Sequence, residues 1–67
     1  MSMVILYEKI KNRCEQTGIS FTALCSGTRI NKSVFTRMRR GTLKDFPDEY
    51  MKRVCYYLCV PDGYFDD

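Results

Sequence analysis

The sequence contains no histidine, no long apolar run and few acidic residues before position 45. The missing histidine excludes Ser-His and Cys-His catalytic pairs and a mixed cysteine/histidine zinc site. No apolar run is long enough to span a membrane. Residues 1–8 lack the basic start and the long apolar stretch of a signal peptide. These absences predict a cytoplasmic protein without membrane contact.

The length leaves room for one small domain, predicted over residues 1–67. A chain of this size buries only about 60% of its unfolded surface, which is too little to enclose an elaborate active-site cavity. Its hydrophobic content of 45% is too high for a disordered tail. Since no pocket or metal signature is visible, we predict that the protein is not an enzyme and has no cofactor.

The cysteines are Cys14, Cys25, Cys55 and Cys59. Only Cys55 and Cys59 are close in sequence, at helical spacing, whereas zinc sites usually bring their ligands in CxxC pairs. A disulfide framework would need a secreted context. We therefore expect small, buried, reduced side chains and no metal site.

The charge is divided unevenly along the chain. Residues 1–44 carry nine basic and two acidic side chains, and residues 45–67 carry two basic and six acidic ones. No acid occurs between Arg29 and Lys44. Such a stretch attracts polyanions, most commonly nucleic acid, although a merely solvated surface would have the same composition.

The spacing of apolar residues predicts an all-α fold. Helices are expected over about 4–17, 20–28 and 32–40, and from 47 onward. Ser20 and Asn31 are typical N-caps, and Gly41 is a typical helix end. Pro61 can begin a last short turn. No segment alternates with the period of a strand.

The second and third helices, joined by a short turn, form a helix-turn-helix pattern. An α-helix fits the major groove of B-DNA, and its first turn can reach base edges. Phe35 and Met38 would hold the third helix on the core. The side chains expected to reach bases are Lys32, Ser33, Thr36 and Arg37. Those expected to clamp phosphates are Arg39, Arg40 and Lys44.

Several short segments, in order and spacing, carry a family resemblance: residues 6–11, 18–20, 23–25, 30–35, 40–41, 57–60 and 64–65. Together they resemble the lambda-repressor-like (Cro-type, xenobiotic-response-element family) helix-turn-helix domains. The resemblance implies five helices, a recognition helix at 32–40 and a phage or bacterial transcriptional regulator, with repression as the expected role. The family's base-reading positions fall on Lys32, Ser33 and Arg37, and its phosphate contacts on Ser20 and Arg40.

The chain departs from the family pattern at several positions. Phe21 replaces a polar residue that often touches the DNA backbone. Arg29 stands where the turn between the helices usually has glycine, and Gly27 nearby allows a shifted turn. The remaining departures are Arg13 for leucine, Thr28 for an aliphatic residue and Cys59 for a helix-ending glycine.

We expect a homodimer that sets its recognition helices into successive major grooves of double-stranded DNA, about 34 Å apart, on a near-palindromic site. The aromatic residues of the C-terminal third exceed what a small core needs: Tyr56, Tyr57, Tyr64 and Phe65. Some can belong to the core and others to a dimer patch, for which the candidates are Tyr57, Tyr64 and Phe65. No effector domain is visible, so no small-molecule effector is implied. The alternative is a protein-interaction module on the same fold, such as an antirepressor or an antitoxin-like adaptor, which the acidic and aromatic C-terminal third favours.

Overall fold

The computed structural model describes residues 2–66, which form four α-helices and no strand. The helices are α1 (Met3–Thr17), α2 (Phe21–Thr28), α3 (Lys32–Arg40) and α4 (Asp48–Tyr57). The all-α prediction is confirmed, and the prediction of a fifth helix is wrong. After Pro61 the chain makes only turns, in which the Tyr64 N–H bonds to the Pro61 carbonyl at 3.1 Å and the Asp66 N–H to the Gly63 carbonyl at 3.0 Å. Gly63 has a positive φ of 82°, which stops a helix there.

Side-chain caps explain where the first three helices begin. The side-chain oxygens of Ser2, Ser20 and Asn31 accept bonds from backbone N–H groups two or three residues later, at 2.9–3.1 Å. Each cap satisfies a donor that the first helical turn leaves without a partner. Pro47 lies just outside α4 as its N-cap residue, rather than in the first turn. Asp48 and Glu49 lie in the first turn of α4, where the positive end of the helix dipole stabilises their negative charge.

Left-handed residues end the helices. Gly18 and Gly41 follow α1 and α3 with φ values of 72° and 74°. Arg29 follows α2 directly with a φ of 57°, and Cys59 follows α4 after Leu58 with a φ of 58°, although neither is glycine. The turn between α2 and α3 is therefore not shifted toward Gly27, which lies within α2. The two departures from glycine keep the left-handed backbone at a cost in conformational energy.

Gly27 is explained by packing and not by a turn. A Cβ atom at this position would lie 2.6 Å from Cδ1 and 2.7 Å from Cζ of Tyr57. The Tyr57 ring on α4 thus packs directly on the backbone of α2. This close approach brings the two helices together.

The core lies between two helix pairs, because α3 packs on α1 and α4 packs on α2. Its buried members are Leu6, Ile10, Cys14, Leu24, Ile30, Phe35, Met38, Phe46, Val54, Cys55, Leu58, Val60 and Phe65. A chain of aromatic rings crosses it, with successive ring centroids 5.2–6.0 Å apart, in the order Tyr7, Phe21, Phe35, Phe46 and Tyr50. These rings couple α3 to the rest of the domain.

All four cysteines are free thiols, but they are not equally buried. Cys14 and Cys55 are buried and Cys25 is half-buried, whereas Cys59 is exposed, so the prediction of a buried side chain is wrong for Cys59. Burial raises the pKa of the Cys14, Cys25 and Cys55 thiols, which keeps them protonated at neutral pH. Residues 2–66 contain no cluster of three or more metal-ligating side chains. No helix in the same range is long and apolar enough to cross a membrane.

Candidate nucleic-acid interface

The candidate interface is the exposed face of α3. Phe35 and Met38 are 2% and 0% exposed and fix the opposite face on the core. The Phe35 ring contacts Phe21 edge-on at 5.3 Å and Phe46 at 6.0 Å. With one face locked in this way, the orientation of the other face is determined by the fold.

Two rows of side chains run along the exposed part of α3. Ser33, Arg37 and Arg40 form one row at i, i+4 and i+7, and all three are exposed. Lys32, Thr36 and Arg39 form the second row, which borders a groove between α3 and the aromatic residues Tyr7 and Phe21. The predicted base-reading and phosphate-binding residues of α3 are therefore brought together on one surface.

Hydrogen bonds already engage some of the predicted polar residues. The Thr36 hydroxyl donates to the Lys32 carbonyl at 3.2 Å. The Ser20 hydroxyl accepts from the Ala23 N–H as the N-cap of α2, which leaves its own proton free to donate. The N–H of Ser33 donates to Asn31, whereas the Ser33 side chain is exposed.

The electrostatics of this surface favour an anion. Arg37, Arg39 and Arg40 occupy the last turn of α3, where the helix dipole favours positive charge. Lys44 follows in the exposed loop after Gly41. Because no acid lies between Arg29 and Lys44 in the sequence, this segment carries unbalanced positive charge.

Two further departures from the family pattern differ in outcome: Thr28 is fully bonded, whereas the buried Nε of Arg13 has no hydrogen-bond partner among residues 2–66. Thr28 is 4% exposed, and its hydroxyl donates to the Leu24 carbonyl at 2.6 Å, so the buried polar atom is satisfied. The Arg13 guanidinium lies 5.4 Å from the centroid of the Tyr64 ring and donates to Gln16. It thereby anchors the segment after Pro61 on α1.

The sequence prediction left out residues that belong to this surface. Phe21 and Tyr7 stack at 5.2 Å beside Lys32, and both are half-buried. Arg29 is exposed in the turn that leads into α3. Arg29 could have been included in this surface from the sequence, because it lies in the stretch without acidic residues. Tyr7 and Phe21 could not, because no sequence spacing shows that α1 and α2 bring them together.

The predicted dimer residues are separated by the fold. Phe65 is 1% exposed and belongs to the core, which corrects its assignment as a surface contact. Tyr57 is half-buried on Gly27, and Tyr64 is 46% exposed. Tyr56, one of the excess aromatic residues but not one of the three dimer candidates, is 87% exposed on α4.

A capped helix, a tight turn and a second helix with one buried and one basic face together define a helix-turn-helix DNA-binding module. The comparison with protein families agrees with this class. The family described as the Cro/C1-type HTH DNA-binding domain matches residues 9–61, and the chain belongs to this family. Comparisons with curated proteins and with solved structures give no significant match.

Proposed function

We propose that this protein is a sequence-specific regulator that binds double-stranded DNA through α3 and represses transcription by occupying its operator. The observation that carries the proposal is the exposed row of Ser33, Arg37 and Arg40 on a helix whose other face is buried. The proposal covers residues 1–67 as one cytoplasmic, non-enzymatic domain.

The proposed roles follow from side-chain chemistry. Arg37 donates two hydrogen bonds to guanine, and Lys32 donates to guanine or to a neighbouring phosphate. Ser33 and Thr36 complete the base contacts. The phosphate contacts, which position the helix without reading sequence, are assigned to Ser20, Arg39, Arg40 and Lys44.

The size of the domain supports binding as a homodimer. The principal extents are 26 × 24 × 21 Å, whereas successive major grooves on one face of DNA are about 34 Å apart. One copy therefore covers one half-site, and a two-fold pair covers a near-palindromic operator. Tyr56 and Tyr64 are the exposed aromatic residues available for a subunit contact. Occupancy would then depend on protein concentration, on competition for the DNA or on a partner protein.

The test is binding to mixed-sequence duplex DNA from about 50 to 200 mM salt, followed by selection from a random duplex pool. Each lost phosphate contact lowers the salt slope by about 1, so Arg40→Ala is expected to flatten it. Arg37→Ala is expected to weaken the selected site by about 1–3 kcal/mol and to blur one base position.

Lys52→Ala is the matched control, because Lys52 is exposed on α4 among acidic residues and its loss changes the net charge equally. We expect this variant to bind like the wild type. Salt-independent or undetectable binding by the wild type would refute the proposal, and equal losses in Lys52→Ala and Arg37→Ala would refute the assignment of α3.

The second candidate function is a protein-interaction module, such as an antirepressor or antitoxin-like adaptor. The observation that favours it is Tyr56, since a tyrosine 87% exposed on a helix is typical of contact surfaces. Tyr56→Ala separates the two: it would abolish partner binding by an adaptor, and it would leave binding to a single half-site unchanged for a DNA-binding regulator.

A further inference from the structure

A groove beside α3 combines aromatic and basic walls. It is lined by Tyr7, Phe21, Lys32, Phe35, Thr36 and Arg39. The stacked rings of Tyr7 and Phe21, 5.2 Å apart, form its apolar side. Because Phe21 also contacts the buried Phe35 ring at 5.3 Å, this apolar side is held rigidly against the core.

The charged edge of the groove belongs to the proposed DNA-binding surface. Lys32 and Arg39 are exposed and lie on the same row of α3 as Thr36. A site built only for phosphate would present donors, and aromatic carbon would contribute nothing to it. An apolar side within a basic surface fits a ligand that carries an apolar group close to phosphates.

Duplex DNA offers one such group in the major groove, the C5-methyl of thymine. Apolar contact from phenylalanine or from a threonine methyl is an established way to recognise it. The Thr36 hydroxyl donates to the Lys32 carbonyl at 3.2 Å, which leaves the Thr36 methyl group for contacts outside the helix. Phe21 and Thr36 thus supply two apolar groups to one groove.

We propose that Phe21 and Thr36 form a pocket for a thymine methyl group and thereby select thymine at one position of each half-site. This inference rests on the proposed DNA-binding function and adds a residue from α2 to base recognition. Lys32, at the edge of the same groove, would contact the adjacent phosphate or base.

The test uses a half-site selected from a random duplex pool, in which each thymine is replaced in turn by deoxyuridine. The replacement removes only the methyl group. Burial of one methylene-sized group corresponds to about a four-fold change in Kd, so one position is expected to show a penalty of about that size. Replacing the same thymine·adenine pair by 5-methylcytosine·guanine restores the methyl group and is expected to recover part of the loss.

Thr36→Ser removes the protein methyl group and keeps the hydroxyl bonded to the backbone. We expect the deoxyuridine penalty to fall below about two-fold in this variant. Thr42→Ser is the matched control, because the Thr42 hydroxyl also donates to an α3 carbonyl, at 3.3 Å from Arg37 O, and its side chain is exposed outside the groove. The control is expected to keep the full penalty. Phe21→Gln tests the aromatic side, with thermal unfolding as the check that it folds.

A selected motif without any deoxyuridine penalty would overturn the methyl pocket and leave the proposed function intact. A full penalty retained in Thr36→Ser and in folded Phe21→Gln would place the methyl contact elsewhere on the protein and would also overturn it. Absence of salt-dependent duplex binding would instead refute the proposed function, and this inference with it.

Discussion

Replacing Cys59 by glycine should stabilise this domain. Cys59 follows α4 with a φ of 58°. Its N–H donates to the Tyr56 carbonyl at 3.2 Å, and the Val60 N–H donates to the Cys55 carbonyl at 3.0 Å. These two hydrogen bonds form a Schellman motif, in which the left-handed position, here Cys59, is usually glycine. The native fold therefore holds a Cβ atom in a conformation that L-residues avoid.

The magnitude follows from two opposing contributions. A left-handed backbone costs a residue with a Cβ atom about 1–2 kcal/mol. Glycine offsets this gain by about 0.4–1 kcal/mol, because its greater conformational entropy stabilises the unfolded chain. The expected net gain for Cys59→Gly is centred on about 0.8 kcal/mol, which in a domain of this length raises Tm by about 3–6 °C.

The assay is thermal unfolding followed by circular dichroism in reducing buffer. Cys59→Ala is the control, since it removes the exposed thiol and keeps the Cβ atom, and it should stay within about 0.5 kcal/mol of the wild type. If Cys59→Gly is no more stable than Cys59→Ala, the left-handed strain at this helix end is absent and the reasoning fails.

The remaining predictions concern packing and the thiols. Gly27→Ala should destabilise by about 1–3 kcal/mol despite the helix preference of alanine, because its Cβ atom would lie 2.6 Å from Tyr57 Cδ1; in a Tyr57→Ala background, denaturant unfolding should show no such loss. Iodoacetamide labelling followed by mass spectrometry should modify Cys59 first and Cys14 and Cys55 only on unfolding, and equal rates would contradict their burial. Burial raises the pKa of the Cys14 and Cys55 thiols in the folded state, so in the unfolded chain they ionise first. These thiols should therefore leave the free energy of unfolding unchanged below the ordinary thiol pKa of about 8.5 and lower it as pH rises above that value. The Cys14→Ala/Cys55→Ala variant should lose less stability between pH 8 and 10, by the same denaturant measurement, and an identical slope would argue against it.

The helices could be predicted because their signals are local. The caps at Ser20 and Asn31 act on backbone groups within three residues, and both follow from the sequence. The buried pair Phe35 and Met38 follows from helical spacing, and with it the outward direction of Arg37. The class of protein and the extent of α3 can therefore be predicted from the order of the residues alone.

The fifth helix could not be decided in the same way. Pro61 is compatible with a helix start, but the family pattern does not reveal that Gly63 adopts a φ of 82°. The shape of this segment depends on contacts with α1, where the ring of Tyr64 lies 5.4 Å from the Arg13 guanidinium. The same packing buries Phe65, for which the sequence left both a core position and a dimer contact open.

The sequence by itself determined the all-α class, the caps at Ser20 and Asn31, and the extent and positive charge of α3, because propensity, spacing and charge are properties of short segments. The tertiary structure alone decided which side chains from different helices meet. In the tertiary structure, Tyr7 and Phe21 lie beside Lys32, and the ring of Tyr57 packs on Gly27. The same packing leaves Tyr56 exposed. The reason is that side-chain contacts between helices depend on how the helices pack, which no local sequence period encodes.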